Sequence, residues 1–148
     1  MDLKNRLPFP QADDFYKVIR LLNIDDSSLL KNNHNLSVCL DSISLRQVGY
    51  YLSACKYLNL INKDNEYTEL GLYLRSLSQT NQLIELIRIL LADRIIGTIY
   101  ISEKFLKVPF NKSDIVDILN RYNIGAASVT ARRAQTAKNW IRWIEQYI

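Results

Sequence analysis

The stretch SLRQVGYYLSACKYLNLINKDNEYTELGLYLRSL, residues 44–77, decides how this chain is read. Leu45, Val48, Leu52, Cys55 and Leu58 recur at steps of three and four, which lays one apolar stripe along a helix starting near Ser44. The opposite face carries Arg46, Gln47, Tyr50, Ala54 and Tyr57. The period then changes. Residues 59–63 (NLINK) and 66–70 (EYTEL) read as two short strands around Asp64-Asn65, a dipeptide that tolerates a tight turn. Thr68 can cap a further helix from Glu69 towards Leu74. Helix, two-stranded hairpin, helix is the outline of a wing behind a recognition helix. The expected fold is therefore mainly α with a small β-hairpin wing.

Upstream, residues 1–12 look like an irregular arm carrying Pro8 and Pro10. Asp13 or Asp14 can cap a first helix running to about Asn23, with Phe15, Val18, Ile19 and Leu22 on one face. Residues 25–36 are rich in Asp, Ser and Asn and suggest at most a short helix around 28–32. Downstream, Thr80 can cap a helix that turns Leu83, Leu86, Ile87, Leu90 and Leu91 inward, and another covers roughly residues 95–106. Asn111 or Ser113 caps a third through Ile115, Ile118 and Leu119, and Asn123-Ile124-Gly125 makes a break before a final helix from about Ala127. A short helix, a break and a longer basic helix form a second helix-turn-helix outline. The expected organisation is an arm and first winged helix-turn-helix over residues 1–78, and a second helix-turn-helix over 79–148. Together they make a tandem winged helix sharing one core.

The final helix carries most of the candidate chemistry. Ala134, Ala137, Ile141, Ile144 and Ile148 define its buried stripe, and at about 100° per residue Arg132, Gln135, Thr136, Asn139 and Trp143 fall opposite. Arg133, Lys138 and Arg142 flank them, and no acid occurs between Ser128 and Trp143. Arginine in the first turns of such a helix can reach guanine O6 and N7, while Gln or Asn can pair with adenine. Ser128 and Thr130, near the helix start, suit a phosphate. A solvated helix face carries similar residues, so it is the helix-turn-helix context that points to nucleic acid. Arg46, Gln47 and Tyr50 of the first recognition helix, and Lys63 at the hairpin tip, complete the candidate DNA-binding set. Trp143, on the polar face, needs a cover, for which Leu7, Pro8 and Phe9 of the arm are available.

Composition sets the limits around this reading. The chain has 148 residues, 48% hydrophobic and 23% charged, with only four glycines and three prolines, which favours helices over barrels and sandwiches. A net charge of +4 and a pI near 9.1 suit a polyanionic partner without naming one. Two cysteines, Cys39 and Cys55, with the single His34 cannot make a structural zinc site of about four ligands. Cys55 falls on the apolar stripe and reads as a buried thiol. No glycine-rich phosphate loop, nucleophile elbow or convergent carboxylate cluster is present, so no catalytic, metal or cofactor site is expected. No apolar run has the length of a signal peptide or a membrane span, which points to a soluble, cytoplasmic protein.

Residues 46–77, followed some fifty residues later by SVTARRAQTAKNWIRWI, resemble a winged-helix domain of prokaryotic restriction-modification and related defence proteins, often joined to restriction-endonuclease-like domains. Arg46, Gln47 and Tyr51 match its first helix, and Tyr57, Leu58 and Leu60 its turn into the wing. Thr68 and Gly71 match its Thr-x-x-Gly after the wing, and residues 130–144 its terminal helix. Asn59 stands where the pattern favours glycine, and asparagine also tolerates the left-handed backbone. The resemblance spans about residues 44–148. It implies a double-stranded-DNA-binding part of a restriction-type system, with any nuclease supplied by another domain or subunit. The competing expectation is a protein-interaction module that forms a homodimer through its tyrosine and tryptophan surfaces.

Overall fold

The computed structural model describes residues 7–121 and 127–147, the side chains of Ala127 and Ser128 excepted. Eight α-helices and one 3₁₀ turn make up the described residues: α1 (Phe15–Leu22), the 3₁₀ turn (Ser27–Lys31), α2 (Asn33–Cys39), α3 (Leu45–Tyr57), α4 (Glu69–Ser76), α5 (Gln79–Ala92), α6 (Arg94–Lys104), α7 (Lys112–Arg121) and α8 (Ala127–Glu145). Local chemistry starts most of them. Asp14 caps α1 by accepting from the Tyr16 amide. Ser44 and Gln47 close a reciprocal capping box at the start of α3. Thr68 accepts from Gly71 N at the start of α4, as expected, whereas α5 is capped by Ser78 rather than Thr80. Asn111 and Asp114 exchange side-chain-to-backbone bonds of 2.9 and 3.0 Å at the start of α7.

The mainly helical expectation holds, but the β-hairpin wing does not form. Among the described residues there is no strand, only a single isolated bridge between Ile61 and Tyr67. A two-stranded ribbon is marginal by itself, and here the pairing stops after two backbone bonds, Asn62 N to Glu66 O at 2.8 Å and Thr68 N to Leu60 O at 3.1 Å. Asn62 Oδ1 accepts from the amides of Asp64 and Glu66, which curls the tip. Asn65 donates from its side chain to Leu30 O, and Tyr67 donates from its hydroxyl to Leu21 O. The loop is thus pinned down onto α1 and the 3₁₀ turn instead of projecting. A tandem winged helix is the wrong description, and the described residues form an all-helical assembly.

Two further corrections shape the site. The short helix expected around 28–32 is the 3₁₀ turn Ser27–Lys31, but a second helix, α2, follows it, capped by Asn32 and packed against α3 across a five-residue turn in which Asp41 and Ser42 have positive φ. Trp143 is buried, and its ring partners are Phe15 of α1 (ring centroids 4.3 Å apart) and Tyr147 rather than Phe9 of the arm. The arm covers Trp140 instead: Phe9 lies 5.2 Å from its ring, and its indole N–H donates to Ala12 O at 2.7 Å. One apolar core runs through the whole assembly, from Phe9 and Phe15 to Trp140 and Ile144.

Candidate nucleic-acid interface

The first turn of α3 is fixed by its cap, which points Arg46, Gln47 and Tyr50 away from the buried Val48, Tyr51 and Leu52. The Arg46 guanidinium sits 5.9 Å from the Tyr50 ring centroid, a loose cation–π contact that leaves Arg46 exposed. Gln47 is partly committed, because its Oε1 accepts from Ser44 N at 3.3 Å. The start of α8 lies alongside. Arg132 and Val129 of α8 join Ser44, Arg46, Gln47 and Tyr50 of the α3 segment, with Gln11 of the arm, around an open groove of about 480 Å³. Among the described residues that line it there is no carboxylate, and the charges are those of Arg46 and Arg132.

The buried side of α8 is wider than a single apolar stripe. Ala134, Ala137, Ile141 and Ile144 are buried as expected, with Thr130 on the same stripe, and Trp140, Trp143 and Thr136 are buried too because α1 and the arm cover a second side of the helix. Thr130 and Thr136 have no exposed surface and cannot meet DNA; Thr136 instead donates to Asp13 Oδ1 at 2.5 Å. Arg133 is half-buried, and burial pulls its guanidinium below the ordinary arginine range. It faces the protein interior rather than the groove. The remaining polar residues share the solvent side: Arg132 and Arg142 exposed, Gln135 and Asn139 partly so and joined by a 2.9 Å bond from Gln135 Nε2 to Asn139 Oδ1. Lys138 and Arg142 border a separate small cleft of about 110 Å³ with Glu103 and Glu145. Their charge is partly offset there.

Lys63 is exposed on the pinned loop and does not line the groove. Ser128 falls outside the described side chains. Gln11 and Ser44 join the site without having been expected there; the Ser-x-x-Gln spacing of Ser44 and Gln47 announces the cap, but nothing in the arm announces Gln11. Among the described residues no three of His, Cys, Asp and Glu come together as metal ligands, and no helix is long and apolar enough to cross a membrane.

The fold and groove define a small helical protein with a polar groove, free of carboxylates among the described residues, between two helix N-terminal regions. The chain belongs to the family described as a domain of unknown function (DUF7226), whose model matches residues 17–148. No curated protein and no solved structure matched the chain.

Proposed function

We propose that the chain is a DNA-binding module that holds duplex DNA across the N-terminal parts of α3 and α8. One observation carries this reading: Arg46, Gln47 and Tyr50, more than eighty residues from Arg132 in sequence, face the same open groove. Two arginines and an amide without a competing carboxylate form a surface suited to phosphates and purine edges. The net charge of +4 favours the same partner. The resemblance of residues 46–77 and 128–144 to domains of restriction-modification proteins supports a place in such a system. The module would then locate DNA for a nuclease carried by another domain or subunit.

The test is duplex binding by fluorescence anisotropy at two salt concentrations, for the wild type and for Arg46→Ala with Arg132→Ala. The double variant should lose on the order of 2–5 kcal/mol, and its salt slope should flatten by about 2. Wild-type-like binding by a folded double variant would remove this groove as the DNA face.

A second reading, a protein-interaction module, is favoured by a different place. Ile101, Phe105, Leu106 and Val108 are exposed together at and beyond the end of α6, with Phe105 at 72% and Leu106 at 66%. A self-association constant that Phe105→Ser lowers, with DNA binding absent in every variant, would put this reading first.

A further inference from the structure

The residues just before α1 do more than cover the core. Phe9 touches both helices of the groove, with its ring 5.2 Å from Tyr57 of α3 and 5.2 Å from Trp140 of α8. Three polar contacts lie within the next few residues. Ala12 O accepts from Trp140 of α8, Asp13 accepts from Thr136 of α8, and the Asp14 amide donates to the hydroxyl of Tyr51 on α3. Phe9, Pro10 and Ala12 are buried, and between them Gln11 remains partly exposed and lines the groove. The segment is a strap tied to both helices, and it holds one amide side chain out into the space between them.

We propose that Gln11 is a third DNA-contacting element of the groove, and that the bond from Thr136 to Asp13 is what positions it. This rests on the DNA-binding reading and names a residue outside both helices. A glutamine amide offers two donors and an acceptor, which match either the N6–N7 edge of adenine or a phosphate oxygen. Its backbone is held on both sides, so little ordering is needed when DNA arrives. Thr136 is a positioning residue: it is fully buried and acts on the duplex only through the strap.

The probe is a fluorescein-labelled random-sequence duplex at fixed salt, read by anisotropy, with Arg46→Ala/Arg132→Ala as the reference variant. Gln11→Ala should weaken binding about fivefold without moving the melting temperature, because the side chain is half-solvated. Gln11→Glu should weaken it at least about tenfold, since a carboxylate would face phosphates. Thr136→Val should also weaken binding, and Thr136→Ser, which keeps the hydroxyl, should restore it. If the arginine variant loses DNA while Gln11→Ala and Gln11→Glu bind like wild type, the inference fails and the DNA-binding reading stands. If the wild type binds no duplex, or the arginine variant binds as well as it, both fall together. If Thr136→Val fails to fold, the two Gln11 variants decide alone.

Discussion

Adding one methyl group to Gly71 and one to Gly49 should shift stability in opposite directions. Both glycines lie inside helices, where alanine is favoured by about 1 kcal/mol because it loses less backbone freedom on folding. At Gly49 of α3 an added Cβ would meet nothing within 4 Å, so Gly49→Ala should stabilise by about 0.5–1 kcal/mol. At Gly71 of α4 the same atom would stand 2.2 Å from Leu60 O and 3.2 Å from Leu60 C. A comfortable C···O contact is about 3.3 Å, so helix and loop would have to part by about 1 Å. Leu60 O cannot simply withdraw, because it accepts from Thr68 N at 3.1 Å and from the Thr68 hydroxyl at 3.2 Å. Thr68 in turn caps Gly71 N at 3.0 Å. Overpacking of about 1–3 kcal/mol and a weakened cap of about 1 kcal/mol therefore oppose the helix gain. The net for Gly71→Ala is a loss of about 1–3 kcal/mol. Equilibrium urea unfolding followed by circular dichroism measures both variants on one scale. If Gly71→Ala matched or exceeded wild-type stability, the loop of residues 58–68 would not be pressed against α4 as described.

The two cysteines should separate cleanly: Cys39 is exposed and should react with a thiol reagent in the native protein, while Cys55 should react only on unfolding. Burial pushes the Cys55 thiol from 9.0 up to about 12, so the folded state keeps a proton that the unfolded state loses above pH 9. Stability from this group is complete below that point and falls by about 1.4 kcal/mol per pH unit up to about pH 12; Cys55→Ala should flatten this decline in alkaline urea titrations. Trp140→Phe removes the indole donor and strands the carbonyl of buried Ala12, so it should cost about 2–4 kcal/mol. An emission maximum that stays blue in that variant, from buried Trp143, would show that the core survives; a stability loss below about 0.5 kcal/mol would refute the anchoring role given to the strap.

Much of the helical framework is legible in the sequence because its signals are local. Ser44-x-x-Gln47, Thr68 before Glu69, and Asp14 before Phe15 each supply an oxygen to a free helix amide, and those residues mark the helix starts directly. The false wing arises from the same kind of local reading. Residues 59–63 and 66–70 alternate like strands, but the pairing between them stops at two cross-loop backbone bonds around Ile61 and Tyr67. The side chains of Asn65 and Tyr67 bond to Leu30 and Leu21, more than thirty positions away in the chain, and this pinning has no local signal. Helix α2 is hidden for a related reason: in NHNLSVC only Leu36 is buried, so no apolar period exists to detect. Its order comes from the Asn32 cap and from the Ser37 hydroxyl, which donates to Ile43 O.

The site is legible by residue type but not by face, and α8 shows why. A single helix read at 100° per residue assigns one buried stripe, and that places Thr136 and Trp143 with the solvent-facing residues, while Thr130, four residues before Ala134, falls on the stripe itself. A helix covered from two directions has a second buried side, and sequence spacing cannot say which polar residues lie on it. Small hydroxyls are the ones that can, because one hydrogen bond satisfies them, as Asp13 satisfies Thr136. Arginine is harder to bury, and Arg133 is only half so. The consequence is a division within one basic segment. Arg132 faces the groove, Lys138 and Arg142 face a cleft shared with Glu103 and Glu145, and Thr136 ties the arm. Mutations along α8 should therefore not act as graded losses of one charged surface. Arg132→Ala should cost DNA affinity with little change in stability, while Lys138→Ala with Arg142→Ala should cost less affinity despite removing one more positive charge. A larger loss from the double variant than from Arg132→Ala in the same anisotropy assay would mean that net charge, and not the α3–α8 groove, attracts the duplex.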